Sequence, residues 1–290
     1  MPRIPVTKTC KLYINGAFLR SESGRSLAIV NADGQVIAQI AHASRKDLRD
    51  AAEHAVAGQV KWAAATAYNR GQVMYRIAEI MESRSSELVE AIRTIEGSSA
   101  IAAKREVESS IDRVVCFAGW TDKILQVLGN QNPVAGPYYN FTVPEPTGVV
   151  VVIAPDAPSL LALVTLVCAP VCAGNAVIAI ASDRNPLPAV ALGEILATSD
   201  VPAGVINILT GQRAELIAHV STHREINAIS AAVRDPGEAK ALQLGVAENL
   251  KRVRLISEPK PDWTDDDQFA GPWSIEPFLE MKTIWHPCGA

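Results

Sequence analysis

Aromatic residues are scarce in this chain of 290 residues, where Phe, Trp and Tyr together make up 5%. Long basic runs are missing as well, and the formal net charge is -4. A surface that binds nucleic acid needs clustered cations and stacking aromatics, so the composition does not indicate one. Hydrophobic residues make up 48% and charged residues 20%, which is the balance of a globular protein with a sizeable core.

Apolar runs long enough to cross a membrane are also lacking. The most apolar stretch, residues 147–171, is interrupted by Pro155, Asp156 and Pro158, so a buried strand followed by a buried helix explains it better. The first residues have no apolar core of a secretory signal. The five cysteines are odd in number and scattered. We therefore expect a cytoplasmic protein with free thiols.

The second half of the chain alternates between strand and helix patterns. The predicted strands are residues 149–154, 176–181, 205–209, 226–230 and 251–256, and helical patterns fill the intervals. Parallel strands need crossovers, and helices usually supply them. The sequence therefore predicts the α/β class with a doubly wound parallel sheet.

The first half predicts short strands and then helices. Asp33-Gly34 is a turn between strand patterns, and Ser44 with Asp47 forms a capping box where a helical stripe begins. A later helix is predicted over residues 102–127. Residues 137–146 alternate and read as an extended strand outside the sheet.

The end of the chain changes character after Ser257. Residues 258–277 are polar and proline-broken and are interpreted as a linker, in which Asp265, Asp266 and Asp267 form a solvated run. Residues 278–290 alternate again and predict a final strand.

Six segments, taken in order, resemble the aldehyde dehydrogenase superfamily. The most specific is PAGVINILTG at residues 202–211. The others are LYING (12–16), FAGWTDKI (117–124), EPTGVV (145–150), ENLKRV (248–253) and MKTIW (281–285). The resemblance implies a Rossmann-like domain over residues 1–257 with N-terminal helices and a small β oligomerisation flap. The flap would consist of strand 137–146 and the C-terminal oligomerisation strand 278–290.

The resemblance also implies that a domain is missing. In the family, the cysteine nucleophile lies in a catalytic domain between the segment matched by residues 248–253 and the C-terminal strand. Here the linker 258–277 replaces it, and no cysteine lies in the matching region. The chain is similar to the incomplete second module of two-module aldehyde dehydrogenases. Thiohemiacetal chemistry needs that thiolate, so the activity is not expected here.

At positions where the family has catalytic or coenzyme-binding residues, this chain has residues that cannot perform the same roles. By resemblance, the oxyanion asparagine falls on Asp156, whose carboxylate cannot donate a hydrogen bond. The ribose-contacting lysine falls on Ile180, and the general-base glutamate falls on Ile256. The Gly-Ser of the pyrophosphate helix falls near Val233-Arg234, although Arg234 could pair with a phosphate. The Gly-Gly after the glutamate falls on Glu258-Pro259.

Several isolated residues suggest chemistry, but a structural role is favoured for each. Cys168 and Cys172 lie four apart on an apolar helix, where core packing is favoured over a metal or redox site. Cys288 and His286 share a strand face, but a chain end is poorly suited to preorganise a dyad. His219 and His223 lack a third ligand.

Two acids follow predicted strands, where α/β sheets often bind ligands. Asp156 could be a functional acid, but a helix cap is favoured. Asp183 could bind a ribose, but without a glycine-rich phosphate loop a turn role is favoured. No G-x-G-x-x-G sequence or P-loop occurs. We therefore assign no catalytic, cofactor-binding or metal-ligating residue, and no cofactor.

Aromatic and aliphatic residues of the two predicted flap strands are interpreted as interface residues: Tyr138, Tyr139, Phe141, Ile284 and Trp285. The resulting hypothesis is a non-catalytic aldehyde dehydrogenase homologue. It would form a homodimer or assemble with a complete aldehyde dehydrogenase in a structural or regulatory role. The alternatives are an NAD(P)-binding oxidoreductase with a remodelled coenzyme site and a nucleotide sensor.

Overall fold

A computed structural model describes residues 6–247, 249–257 and 261–289. The strands are β1 (Lys8–Cys10), β2 (Leu12–Ile14), β3 (Ala17–Leu19), β4 (Ser26–Val30), β5 (Val36–Ala41), β6 (Asn130–Asn132), β7 (Tyr138–Pro146), β8 (Val149–Ile153), β9 (Ala176–Ile180), β10 (Ile206–Leu209), β11 (Ala228–Ala232), β12 (Arg252–Ile256) and β13 (Leu279–Pro287). The helices are α1 (Arg45–Ala64), α2 (Ala67–Ser83), α3 (Ser85–Glu96), α4 (Ala100–Trp120), α5 (Ile124–Leu128), α6 (Leu161–Cys172), α7 (Leu187–Leu196), α8 (Ala214–Thr222), α9 (Pro236–Val246) and α10 (Asp266–Phe269).

The central sheet confirms the predicted α/β class. Its strand order is β12-β11-β8-β9-β10-β2-β3. Strands β8 to β12 pair in parallel, whereas β2 joins β10 antiparallel. Each residue of β8 and β9 is buried, because helices cover both faces of the sheet.

The helices form two layers around this sheet. Alternate residues of β8 enter different cores: Val150 and Val152 pack in one, and Val149 and Val151 in the other. The first core also takes residues of α2, α3, α4, α6 and α7, and the second takes residues of α1, α8 and α9. The sheet is therefore doubly wound, as predicted.

Helix boundaries in the first half follow the sequence in part. The capping box at Ser44 is confirmed, since its side chain accepts from the Asp47 amide and the Asp47 side chain accepts from the Ser44 amide. The predicted helix 102–127 is instead two helices, α4 and α5, because a turn begins at Thr121. Among the described residues, no helix is long and apolar enough to cross a membrane.

The predicted linker needs a correction over its described part. Residues 261–278, here called the cover segment, fold against the body of the protein and contain α10 and the 3-10 helices Pro272–Ser274 and Glu276–Phe278. Trp263, Phe269 and Phe278 are at most 3% exposed. The prediction failed because a few large apolar side chains, widely spaced among polar ones, bury the segment without any helical or strand period.

The acidic run in the cover segment is also more than a solvated stretch. Asp265 caps α10 by accepting hydrogen bonds from the Asp267 and Gln268 amides. Asp266 pairs with the buried guanidinium of Arg113 on α4. The interpretations placed on Glu258 and Pro259 lie outside the described residues.

The flap is a separate sheet of three strands. β13 pairs antiparallel with β7 over nine residue pairs, from Leu279 with Pro146 to Pro287 with Tyr138. β6 pairs with the other edge of β7, so the order is β13-β7-β6. The extended strands predicted at 137–146 and 278–290 therefore form, and they pair with each other.

Candidate ligand crevice

A cavity of about 290 Å³ lies at the carboxyl ends of β8, β11 and β12. In sheets of this kind, ligands usually bind at that edge. Asp156 and Arg234 lie on its wall, together with Val233, Ile256 and Trp263 of the cover segment. Four residues that the sequence analysis singled out therefore lie together in this crevice: Asp156, Val233, Arg234 and Ile256.

Arg234 bridges two strand ends in the crevice. Its Nη2 lies 2.7 Å from Oδ1 of Asp156, and its Nη1 lies 2.9 Å from Oδ2 of Asp183. Burial lowers the pKa of Arg234, but its bonds to the two carboxylates outweigh this effect and raise it. The guanidinium is therefore a fixed cation whose charge is already matched inside the chain.

A second arginine lies beneath the first. Arg213 is fully buried; its Nη1 donates to the carbonyls of Ala154 and Ala232, and its Nη2 lies 2.8 Å from Oε2 of Glu238. The same Glu238 oxygen accepts from the Arg234 amide at 2.7 Å. Burial lowers the pKa of Arg213, and this effect is larger than the opposing effect of Glu238. These bonds link the ends of β8 and β11 to α9.

Carboxylates of the chain itself stand at the starts of three helices beside the crevice. At α6, Oε1 of Glu106 accepts from the amides of Leu160 and Leu161 at 2.9 and 3.2 Å. At α8, Asp183 accepts from the amide of Arg213 at 3.0 Å. At α9, Asp235 accepts from the Glu238 amide at 2.9 Å. The helix starts, which attract anions, are therefore already occupied by anionic groups.

One prediction for the acids in the crevice was wrong, and another was incomplete. Asp156 does not cap α6, because Glu106 from the neighbouring α4 takes that position, and Asp156 pairs with Arg234 instead. Asp183 lies in a bend between β9 and α7, and its two oxygens also bond the start of α8 and Arg234. These partners could not be predicted because they are remote in sequence.

Three residues that build the crevice were missed at the sequence level. Glu238 follows Asp235 by three positions, which is a capping spacing that could have been noticed. Glu106 and Arg213 carried no such local signal, because their roles arise from contacts between distant elements.

Comparison with known proteins identifies the family of this chain. Residues 18–256 match the aldehyde dehydrogenase family. The chain belongs to that family. Among similar sequences, it is 31% identical over 257 residues to the mitochondrial 10-formyltetrahydrofolate dehydrogenase of Mus musculus. It is 32% identical over 254 residues to the cytosolic 10-formyltetrahydrofolate dehydrogenase of Xenopus tropicalis.

The similarity covers most of this chain but a smaller part of its relatives. The two sequence matches cover 84% of this chain and 27% and 28% of the relatives. The NAD+ complex of an aldehyde dehydrogenase from Bacillus cereus matches with a TM-score of 0.81 and 24% identity, over 86% of this chain and 51% of that one. An aldehyde dehydrogenase from Brucella melitensis biovar abortus 2308 matches with a TM-score of 0.82 and 22% identity, again over 86% and 51%. These structures show that the fold is shared.

The crevice of this aldehyde dehydrogenase family member offers a nicotinamide dinucleotide few unoccupied groups. A pyrophosphate needs free helix amides or unpaired cations. Here Asp183, Asp235 and Glu106 accept from amides at the helix starts, and Arg234 is held between two carboxylates, although Arg184 also lines the crevice. Ile180 is buried in β9 and offers no donor for a ribose. A phosphate that bound Arg234 would have to break ion pairs of the protein.

Thiols are likewise poorly placed for chemistry in this crevice. Cys168 and Cys172 are buried within α6, where burial raises the pKa of Cys168 to about 12 and also raises that of Cys172. Cys288 is exposed beyond β13, and its Sγ lies 3.9 Å from the carbonyl oxygen of His286. The other residue pair considered for chemistry, His219 and His223, lies at the end of α8, where the backbone amide of His223 donates a hydrogen bond to the His219 carbonyl.

The five predicted interface residues lie on two faces of the flap. Tyr138 and Trp285 share one face, with ring centroids 5.7 Å apart. Tyr139 and Phe141 share the other, with centroids 5.3 Å apart, and Ile284 lies opposite Phe141 on β13. Strand residues alternate between faces, so one flat partner cannot contact all five. Both faces of the flap therefore expose apolar groups.

Proposed function

We propose that this chain is a non-catalytic member of the aldehyde dehydrogenase family that acts by association. It would oligomerise with itself or with a complete aldehyde dehydrogenase in a structural or regulatory role. The observation that carries the proposal is the occupation of the crevice by the protein's own charges. Arg234 joins Asp156 to Asp183 across the position where a coenzyme phosphate would need a free cation.

Two residues support the non-catalytic part of the proposal. By the resemblance, the positions that the family uses for proton transfer and ribose contact hold Ile256 and Ile180. A hydrocarbon side chain can neither accept a proton nor donate a hydrogen bond, so these two residues cannot supply those roles.

Coenzyme titration tests this part. A ligand present at 100 times its Kd stabilises a protein by about 2.7 kcal/mol, which is easily seen as a rise in Tm. We expect no change in Tm with NAD+ or NADP+, whereas a complete dehydrogenase used as the control should be stabilised. Saturable binding of either coenzyme would contradict the proposal and favour the nucleotide sensor. Aldehyde oxidation that a single substitution abolishes would favour an enzyme.

Exposed apolar groups on the flap support the association part. Trp285 is 58% exposed, and Tyr138, Tyr139 and Ile284 are each more than 40% exposed. A small sheet with apolar groups on both faces cannot cover them by itself. We propose that partner chains packed on both faces of the flap cover these residues and Phe141. The free thiols are compatible with the cytoplasmic location that we propose for the complex.

Native mass spectrometry of the purified full chain, and of complexes captured from its source cells, tests association. A homo-oligomer or a complex with a complete aldehyde dehydrogenase is expected. Substitution of Trp285 by Ser should weaken either complex, whereas Tyr75→Ser, at a half-exposed residue of α2, should leave it intact. A chain that stays monomeric in both preparations would contradict association.

A further inference from the structure

β12 is an edge strand of the central sheet. It pairs with β11 on one side, and among the described residues no strand pairs with its other side. The amide of Arg252 donates to the Asn227 carbonyl, so Arg252 bonds inward, toward β11. Because successive residues of a parallel strand bond to opposite sides, the amides and carbonyls of Val253 and Leu255 point outward. The outer edge therefore presents backbone groups that have no partner within the described ranges.

The two faces of β12 differ in chemistry. Arg252 lies on the face toward β13, where its Nη2 is 3.0 Å from Oε1 of Glu280. Leu255 points the opposite way and packs on the core that includes residues of α9. Strand side chains alternate, so Arg254 shares the face of Arg252, and Val253 shares the face of Leu255. A strand added at this edge would meet cations on one face and aliphatic groups on the other.

Arg254 is a cation without a matching anion in the described part of the chain. It is half-buried, and burial lowers the pKa of its guanidinium. Every other arginine of the described residues that is not exposed donates a side-chain hydrogen bond. Burial of a charge costs hydration, which a paired carboxylate offsets. The guanidinium of Arg254 is therefore suited to a carboxylate supplied by another molecule.

The same burial makes the edge selective. A charge that points into an edge strand's surroundings usually prevents pairing, because an added strand would bury the charge without a partner. A strand that places a carboxylate opposite Arg254 removes this cost. Both ends of β12 are open, since Leu250 before it is 93% exposed and Ser257 after it is exposed. Arg254 thus disfavours apolar strands and favours acidic ones.

We propose that the outer edge of β12 binds an extended segment of another protein in which acidic and aliphatic residues alternate. Its backbone would bond to Val253 and Leu255, and one of its carboxylates would pair with Arg254. Its aliphatic residues would lie on the face of Leu255. The edge belongs to a different sheet from the flap, so the inference goes beyond the proposed function and does not depend on it.

Two synthetic peptides test the recognition. The probe is a fluorescein-labelled peptide of alternating Val and Glu, about seven residues long, and the control has Lys in place of Glu. Fluorescence anisotropy with the full chain should show saturable binding of the Glu peptide and roughly tenfold weaker binding of the Lys peptide. Equal binding of the two peptides, or binding of neither, would overturn the proposal.

Charge reversal at Arg254 provides the matched variant. Arg254→Glu should weaken binding of the Glu peptide roughly tenfold and strengthen binding of the Lys peptide. Arg105→Glu, at an exposed position of α4, should change neither. Circular dichroism checks that each variant is folded, and Arg254→Gln replaces a reversal variant that is not. A folded Arg254 variant that binds the Glu peptide as the wild type does would contradict the pairing.

Hydrogen exchange separates strand addition from attraction between charges alone. In the free chain, the amides of Val253 and Leu255 should exchange faster than the amide of Arg254, which points toward β11. Saturation with the Glu peptide should slow the exchange of both outward amides roughly tenfold or more. Unchanged exchange of these amides would overturn strand pairing. Displacement of the peptide by a single-stranded oligonucleotide of equal charge would also overturn it, in favour of a surface for polyanions.

Discussion

The guanidinium of Arg113 lies beneath the cover segment, with its Nη2 2.9 Å from Oδ1 of Asp266. Its Nη2 also donates to the carbonyl of Trp263, and its Nη1 to the carbonyl of Phe269 and to Oγ1 of Thr165. Arg113 is only 3% exposed. One side chain of α4 thus binds the cover segment at three places, which are two backbone carbonyls and one carboxylate.

Replacing Arg113 by Met should destabilise the protein by about 2–4 kcal/mol, because buried carbonyls lose their donors. The measurement is the free energy of unfolding in urea. Arg105→Met, at an exposed position of the same helix, should change it by less than about 0.5 kcal/mol. Similar losses for both variants would contradict the role assigned to Arg113.

Two tryptophans of the cover segment should respond differently to truncation. Trp263 is 3% exposed and stacks on Phe269 with centroids 4.5 Å apart, whereas Trp273 is 65% exposed. Trp263→Ala should cost about 3–5 kcal/mol of unfolding free energy, and Trp273→Ala about 0.5 kcal/mol or less. If the segment were a solvated linker, both changes would have small effects.

Lys251 should make stability depend on pH. Burial lowers its pKa from the ordinary 10.5 to about 8, and its Nζ donates to the His223 carbonyl. Between these values the unfolded chain binds more protons than the folded chain, so this group makes stability rise with pH across that window. Below about pH 8 the cost of burying the charge is present in full.

The Lys251→Met variant isolates this contribution. The difference in unfolding free energy, wild type minus variant, should increase from about pH 7 to about pH 10. A difference that stays constant over this range would show that Lys251 does not titrate as described.

Thiol labelling should distinguish the cysteines. Cys288 is exposed and should react rapidly with a maleimide, and Cys288→Ser should abolish this fast phase. Cys168 and Cys172 should react only after unfolding, because the thiolate is the reactive form and burial raises the pKa of both. Rapid labelling of either in the native protein would contradict the packing of α6.

The sequence was most informative where the signal for an element is local. The apolar run of β8 and the capping box at Ser44 predicted elements that the structure contains, because each signal lies within a few neighbouring residues. The contacts between charged residues of the crevice could not be predicted from such local signals. Glu106 reaches α6 from α4, and Arg234 reaches Asp156 across the sheet, so these partners become known only when the fold is known.

The pairing of β7 with β13 has a consequence for biosynthesis. β7 is translated before β8 to β12 of the central sheet, and its partner Leu279–Pro287 is made only after all of them. Until then, the aromatic edge of β7 that β13 will cover is open on the nascent chain, which is a condition that favours wrong pairing and recruits chaperones. Ribosome-bound chains stopped before β13 should therefore be the most aggregation-prone stage in the synthesis of this protein.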